Sequence, residues 1–250
     1  MIPIGDSNRS RSFPFVNYAL IAASVLVFLY ELQLSGQTYV GPFTELDRFI
    51  AEWGNVPPCT FDALGWDQGF IASTRDCAVQ PRPVLTPISA MFMHVGWLHI
   101  LGNMLFLWIF GDNVEEAMGH VLYAVFYLAV GIIAAFAHGV VNLDSLVPAV
   151  GASGAVAGVM GAYIVLYPRA TVIAIIPPLI FLPLPVPAFV MIGVWFAVEL
   201  IQGFSSLGPD VTETGGGVAY FAHIGGFVAG AALVNVMAIY RDRGPLSQKR

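Results

Sequence analysis

The chain has 250 residues, 57% of them hydrophobic and only 10% charged, with a formal net charge of −6. A soluble globular domain carries about 25% charged residues; water cannot accommodate this much apolar surface, and a bilayer can. Basic residues are too sparse for a nucleic-acid partner.

Six apolar runs follow along the chain, at about residues 13–34, 88–110, 121–141, 150–167, within 171–204, and 218–240. A helix crosses a bilayer with roughly 20 apolar residues, within a range of about 17–25. The expected fold is therefore all-α, a polytopic membrane bundle of six transmembrane helices. The first run is too long for a signal peptide and lacks a small-residue cleavage site, so it reads as a retained span. The fourth run is short. In the fifth, Pro177, Pro178, Pro183, Pro185 and Pro187 forbid a continuous helix. Residues 168–187 then form a re-entrant or interfacial connection, and a helix starts near Pro187, where proline suits the first turn.

Lys and Arg in short loops set orientation. With six spans both termini share one side, which holds Arg9, Arg11, Arg169, Arg241, Arg243, Lys249 and Arg250. The opposite side holds Arg48, Arg75 and Arg82 in one long loop, with Glu45, Asp47, Glu52, Asp62, Asp67 and Asp76. The expected division is a cytoplasmic tail at 1–12, a membrane domain at 13–240 with an external loop at about 35–83, and a cytoplasmic tail at 241–250. The expected location is a bacterial plasma membrane with both termini cytoplasmic. Cys59 and Cys77 both fall in the external loop. An oxidising compartment permits a disulfide there, stabilising by roughly 3 kcal/mol in the chain-entropy model; two free thiols are the alternative. No paired metal-ligand spacing is present.

Polar side chains within spans are costly and need a reason. His99 and Asn103, four apart in the second span, share one helix face, and His94 precedes them by five. Ser153 opens the fourth span in Gly151-Ala152-Ser153-Gly154. Small flanking residues leave its hydroxyl uncrowded, and free backbone N–H groups at a helix start favour a developing anion. The bland reading of the same residues is helix packing, since Gly154 and Gly158 are spaced as a packing motif. His223, in the sixth span, sits above Gly226 and Gly230; Ala157 and Gly161 follow Ser153 on its helix. Two such small-residue stripes approach closely and bring serine and imidazole within reach. Counting from the outer helix ends, Ser153, His223 and His99 lie in the outer half. Glu199 counts toward the cytoplasmic end, so a serine–histidine dyad is expected, without a third member.

These residues resemble the rhomboid family of intramembrane serine proteases. The family's Gly-x-Ser-Gly motif matches Gly151-Ala152-Ser153-Gly154; its glycine-followed histidine matches His223 with Gly225, Gly226 and Gly230; its His and Asn four apart match His99 and Asn103. The resemblance covers about residues 83–230. It implies Ser153 as nucleophile and His223 as base, with His99, Asn103 and the Ser153 N–H forming an oxyanion hole and His94 in support. It implies other membrane proteins as substrates, cut near the external face, and no metal or cofactor. Two features depart from the family. Many members carry an aromatic residue four after the serine, packed on the catalytic histidine, where this chain has Ala157. Many carry Trp-Arg in the first external loop, where Trp53 here lies between Glu52 and Gly54. Two rival functions are a catalytically inactive relative that binds membrane proteins, and a transporter using His94, His99, His223 and Glu199 as a proton or metal path. The first is disfavoured because serine and histidine are both kept. The second leaves the Gly151–Gly154 motif unexplained.

Overall fold

A computed structural model describes residues 1–8, 10–66, 77–176, 180–207 and 219–243. Arg9, Asp67, Arg75, Asp76, Pro177, Pro178, Lys249 and Arg250, to which the sequence analysis assigned roles, lie outside the described residues. In chain order the elements are β1 (Ile2–Asp6), α1 (Phe15–Ser35), β2 (Thr38–Val40), β3 (Phe43–Thr44), α2 (Glu45–Trp53), α3 (Pro57–Ala63), α4 (Thr86–Ser89), α5 (Trp97–Met118), α6 (His120–Val141), α7 (Ser153–Leu166), β4 (Thr171–Ile176), β5 (Ile180–Pro187), α8 (Ala188–Ser205) and α9 (Tyr220–Arg243).

Four of these helices are long and apolar enough to cross a membrane: α1, α6, α8 and the 220–237 stretch of α9. A fifth span results if 83–92 and α5 are taken together, although they meet at a bend of 82°. The predicted fourth span, α7, has only 14 residues, fewer than a span needs. Its residues Gly154 to Tyr163 are all buried, so neighbouring helices rather than lipid surround it. The chain is thus an integral, multi-pass, all-α membrane bundle with α7 at its centre.

One predicted boundary is corrected. The second span does not run from 88 to 110: Gly96 breaks that apolar stretch, and the helix runs from Trp97 to Met118. The 168–187 connection, expected to be re-entrant or interfacial, holds two antiparallel strands over its described residues. Val172, Ile173, Ile175 and Ile176 supply β-branched side chains, and β4 pairs antiparallel with β5. Residues of the predicted N-terminal tail add β1 to the other side of β4, giving the order β1-β4-β5. Proline is tolerated in a sheet at its edges, where a missing N–H breaks no ladder bond. Pro3 lies in β1, and Pro183, Pro185 and Pro187 lie in β5, whereas the central strand has none. The helix predicted to follow Pro187 begins there, at Ala188.

Buried polar knots fix the helices at the end where the sheet lies. Glu115 is fully buried and accepts the backbone N–H groups of Val16 at 3.0 Å and Asn17 at 2.7 Å. A carboxylate there satisfies free donors at the start of α1 and complements its dipole. His120 Nδ1 lies 2.5 Å from the same carboxylate. Asn17 donates to the Leu107 carbonyl and accepts from the Tyr123 hydroxyl, tying α1 to α5 and α6. Gly119, at φ 80°, makes the tight turn between α5 and α6. Asp6 accepts from Tyr163 and Asn113, which locks β1 against α7 and α5; burial pushes its carboxyl pKa up.

The 36–92 segment at the opposite end is ordered rather than loose over its described residues. Thr44 and Asp47 form a reciprocal capping box at the start of α2. Cys59 and Cys77 are joined, with Cα atoms 5.3 Å apart across 18 positions. Asn55 pairs through its backbone with Ala149, just ahead of α7, and its side-chain oxygen accepts from Thr60 at 2.9 Å.

The closest helix contact joins α7 and α9. A Cβ placed at Gly226 would lie 2.0 Å from the Gly154 carbonyl oxygen, one at Gly230 1.9 Å from that of Gly158, and one at Gly161 2.1 Å from that of Phe227. Gly230→Ala is therefore expected to destabilise by about 1–3 kcal/mol, the usual cost of overpacking. Gly193→Ala, on α8, meets nothing within 4 Å and should be neutral, or stabilising by up to about 1 kcal/mol through helix propensity. Thermal unfolding of the two variants side by side checks this. Unfolding of oxidised protein should also show Cys77→Ser to be less stable by roughly 3 kcal/mol, from loop closure.

Candidate active site

Ser153 is the first residue of α7, as the Gly-Ala-Ser-Gly pattern implied. Its approach strand is clamped on two sides. The Gly151 N–H donates to the Ala90 carbonyl at 2.8 Å, and Ala149 exchanges backbone bonds with Asn55 at 2.8 and 2.9 Å. Gly151 has φ 131°, a conformation that side chains with a Cβ rarely adopt. The space where its Cβ would be is taken by His99: the imidazole Nε2 is 2.6 Å from that point and Ser153 Oγ 3.8 Å. The missing methyl group is what lets His99, from α5, reach the start of α7.

His99 is the third residue of α5, and the Asn103 amide nitrogen donates to the His99 carbonyl at 3.0 Å. That bond uses one of the amide's two N–H groups. His94 does not sit on the helix that the sequence placed it on. It lies in the break before Gly96, buried, with its N–H donating to the Glu31 carboxylate at 3.1 Å and its ring 5.0 Å from that of His99. His94 thus backs the His99 ring from outside the helix.

His223 is the fourth residue of α9 and is buried. Ala222 beside it packs against Gly154, so α9 passes the start of α7 at its first turn. His99 and His138, from α5 and α6, both lie within electrostatic reach of His223. Ser153, Gly151, His138, Ala219 and Ala222 line one recess. The α7 stripe that meets α9 is Gly154, Gly158 and Gly161: Gly161 is as predicted, and Gly158 takes the place of the predicted Ala157.

One expectation is overturned. Glu199 was placed toward the cytoplasmic end and given no part in the site. It is buried, and His223 Nδ1 lies 2.7 Å from its Oε2. The helix start near Pro187 already carried the signal, since Glu199 is the twelfth of the 18 residues of α8 and is nearer the end where α9 begins. Trp195, one turn earlier on α8, sets its ring 6.1 Å from the imidazole. Among the described residues the imidazole's side-chain hydrogen bond goes to Glu199, and the Ser153 hydroxyl is not bonded to it. Catalytic contacts of this kind are commonly long before substrate arrives.

Fold and site together define a multi-pass membrane protein with a serine, two histidines and an asparagine gathered at one end of its bundle. The rhomboid domain family profile matches residues 81–240, and the chain belongs to the rhomboid family. It is 34% identical over 152 residues to the rhomboid protease GluP of Bacillus subtilis, covering 60% of this chain and 25% of that one. It is 29% identical over 147 residues to the mitochondrial rhomboid protein 1 of Saccharomyces cerevisiae, covering 57% of this chain and 39% of that one. A third match, RHOMBOID-like protein 1 of Arabidopsis thaliana, is 25% identical over 248 residues, 95% of this chain and 57% of the other. The matches thus span between a quarter and just over half of these relatives' length.

Gly151→Ala should displace His99 or unwind the approach to Ser153. The expected result is lower thermal stability by about 1–3 kcal/mol, from a strained φ together with a clash. A Gly151→Ala protein as stable as the parent, with unchanged histidine ring resonances, would refute the close fit.

Proposed function

We propose that the chain is an intramembrane serine endopeptidase that cuts membrane-spanning substrates near the outer face of the bilayer, with Ser153 as nucleophile and His223 as general base. The observation that carries this reading is the meeting of three elements at the start of α7, in a chain of the rhomboid family: Ser153 lines a recess with Ala219 and Ala222, next to His223, and the His99 ring lies against Gly151. Family membership supports a protease at the level of the family, since one relative is itself named a rhomboid protease.

In this mechanism Ser153 Oγ attacks the substrate carbonyl carbon while its proton passes to His223 Nε2. The oxyanion receives hydrogen bonds from the free Asn103 N–H, from His99 and from the Ser153 backbone N–H. The imidazolium then returns the proton to the leaving amine, and the acyl-enzyme is released by water that His223 activates in the same way. Hydrolysis at this depth needs a hydrated recess, and non-helical backbone is tolerated in a membrane where protein buries it. The substrate helix has to unwind at the scissile bond, so substrates carry helix-destabilising residues near their outer end. The Lys and Arg distribution supports cytoplasmic termini and an external loop at about 35–83; the Cys59–Cys77 bridge fits an oxidising outer side, and the proposed location is a bacterial plasma membrane.

Purified protein mixed with a single-span substrate tests the reading. Ser153→Ala and His223→Ala should each abolish cleavage with little loss of thermal stability. Asn103→Ala should lower kcat by about 10²–10³, the usual effect of losing one oxyanion donor. Cleavage near the parent rate by either Ser153→Ala or His223→Ala would reject these roles.

A further inference from the structure

We propose that Glu199 is a positioning residue that holds His223 for proton transfer, so that the site works as a serine–histidine–glutamate triad; this rests on the protease reading above. Where the family resemblance leads one to expect an aromatic side chain against the histidine, this chain has Ala157, which is 1% exposed and too small to stack. Support for the ring comes instead from α8. Trp195 and Glu199 are four apart and share a helix face, and both meet His223, one through its ring and one through a hydrogen bond.

The chemistry follows from which nitrogen is bound. A carboxylate at 2.7 Å from Nδ1 keeps the proton on that nitrogen and the lone pair on Nε2, which is the arrangement a base facing Ser153 needs. When Ser153 Oγ loses its proton to Nε2, the ring becomes an imidazolium between the developing oxyanion and Glu199. In this step Glu199 takes no proton from Nδ1 and offsets that charge. His99 from α5 and His138 from α6 lie within electrostatic reach of His223, and Ser153 from α7 lines the recess that Ala222 also lines. None is a carboxylate, so the role falls to Glu199. A buried carboxylate in a membrane helix is costly, and a packing role at this position would be met by a leucine.

The experiment uses the full chain in detergent or vesicles with a single-span substrate, comparing parent, Glu199→Gln, Glu199→Asp and Ser153→Ala. Glu199→Gln should lower kcat by about 10²–10⁴, as removing the charge behind a catalytic histidine does, and leave KM within a few-fold. Glu199→Asp, which keeps the charge, should recover part of the loss. Nitrogen NMR of ring-labelled protein should show His223 protonated at Nδ1 in the parent, with that signal shifted or lost in Glu199→Gln. Unchanged kcat in Glu199→Gln, equal losses in Gln and Asp, or a ring protonated at Nε2 in the parent would each overturn the proposal. A parent no more active than Ser153→Ala would instead defeat the protease reading, and the ring spectrum would still decide how Glu199 acts on His223.

Discussion

Two helix backbones in direct contact set the geometry of this molecule. Gly154, Gly158 and Gly161 of α7 face Gly226, Phe227 and Gly230 of α9 with no side chain between them. In a bilayer no hydrophobic force distinguishes a neighbouring helix from lipid, so association depends on close packing. Glycine surfaces give the closest packing available, and they bring opposing carbonyl oxygens and Cα–H groups together as weak hydrogen bonds. The contact fixes depth as well as distance: with Gly226 held against Gly154, His223 lies about one turn nearer the start of α9 and the two helices cannot slide.

The short central helix follows from the same constraint. At 14 residues α7 leaves much of the bilayer thickness at its two ends to other structure. At one end the chain turns into a three-stranded sheet, tied by Asp6 to α5 and α7. At the other end the irregular approach through Pro148 to Ala152 has its backbone satisfied by Asn55 and Ala90. The break ahead of α5 is handled likewise, with Glu31 of α1 accepting the His94 N–H. Exposed backbone of this kind cannot face lipid, which is why an ordered 36–92 segment accompanies a short central helix.

Much of this was legible in the sequence. The apolar runs gave the helices, and small residues spaced at three and four around Ser153 and His223 pointed to the α7–α9 contact. Composition could not show the start of α5, because residues 88–96 are as apolar as those after them and only Pro87 and Gly96 mark the bend. The sheet was hidden because its prolines read as breakers; their confinement to β1 and β5 is informative only once strand order is known. Glu115 was missed because the second span was ended at Phe110, one turn before it. Glu199 was missed through depth alone, since the helix start at Pro187 was read correctly and the residue count from it was not followed to the opposite end.

Among the described residues, the three carboxylates buried in the bundle, Glu31, Glu115 and Glu199, show how such groups are tolerated at this depth. Glu31 and Glu115 accept backbone N–H groups that a helix start or break leaves free, so each carboxylate and each donor removes the other's desolvation cost. Glu199 has no such backbone duty; its bond is to an imidazole nitrogen. An aromatic ring stacked on a histidine restrains its plane but leaves rotation within that plane and the choice of tautomer open. A hydrogen bond at Nδ1 restrains rotation and tautomer together, and Trp195 beside it limits tilt. With Ala157 in place of an aromatic residue, α7 and α9 can sit backbone to backbone, and the contacts that hold His223 come from α8 rather than from the helix that carries Ser153.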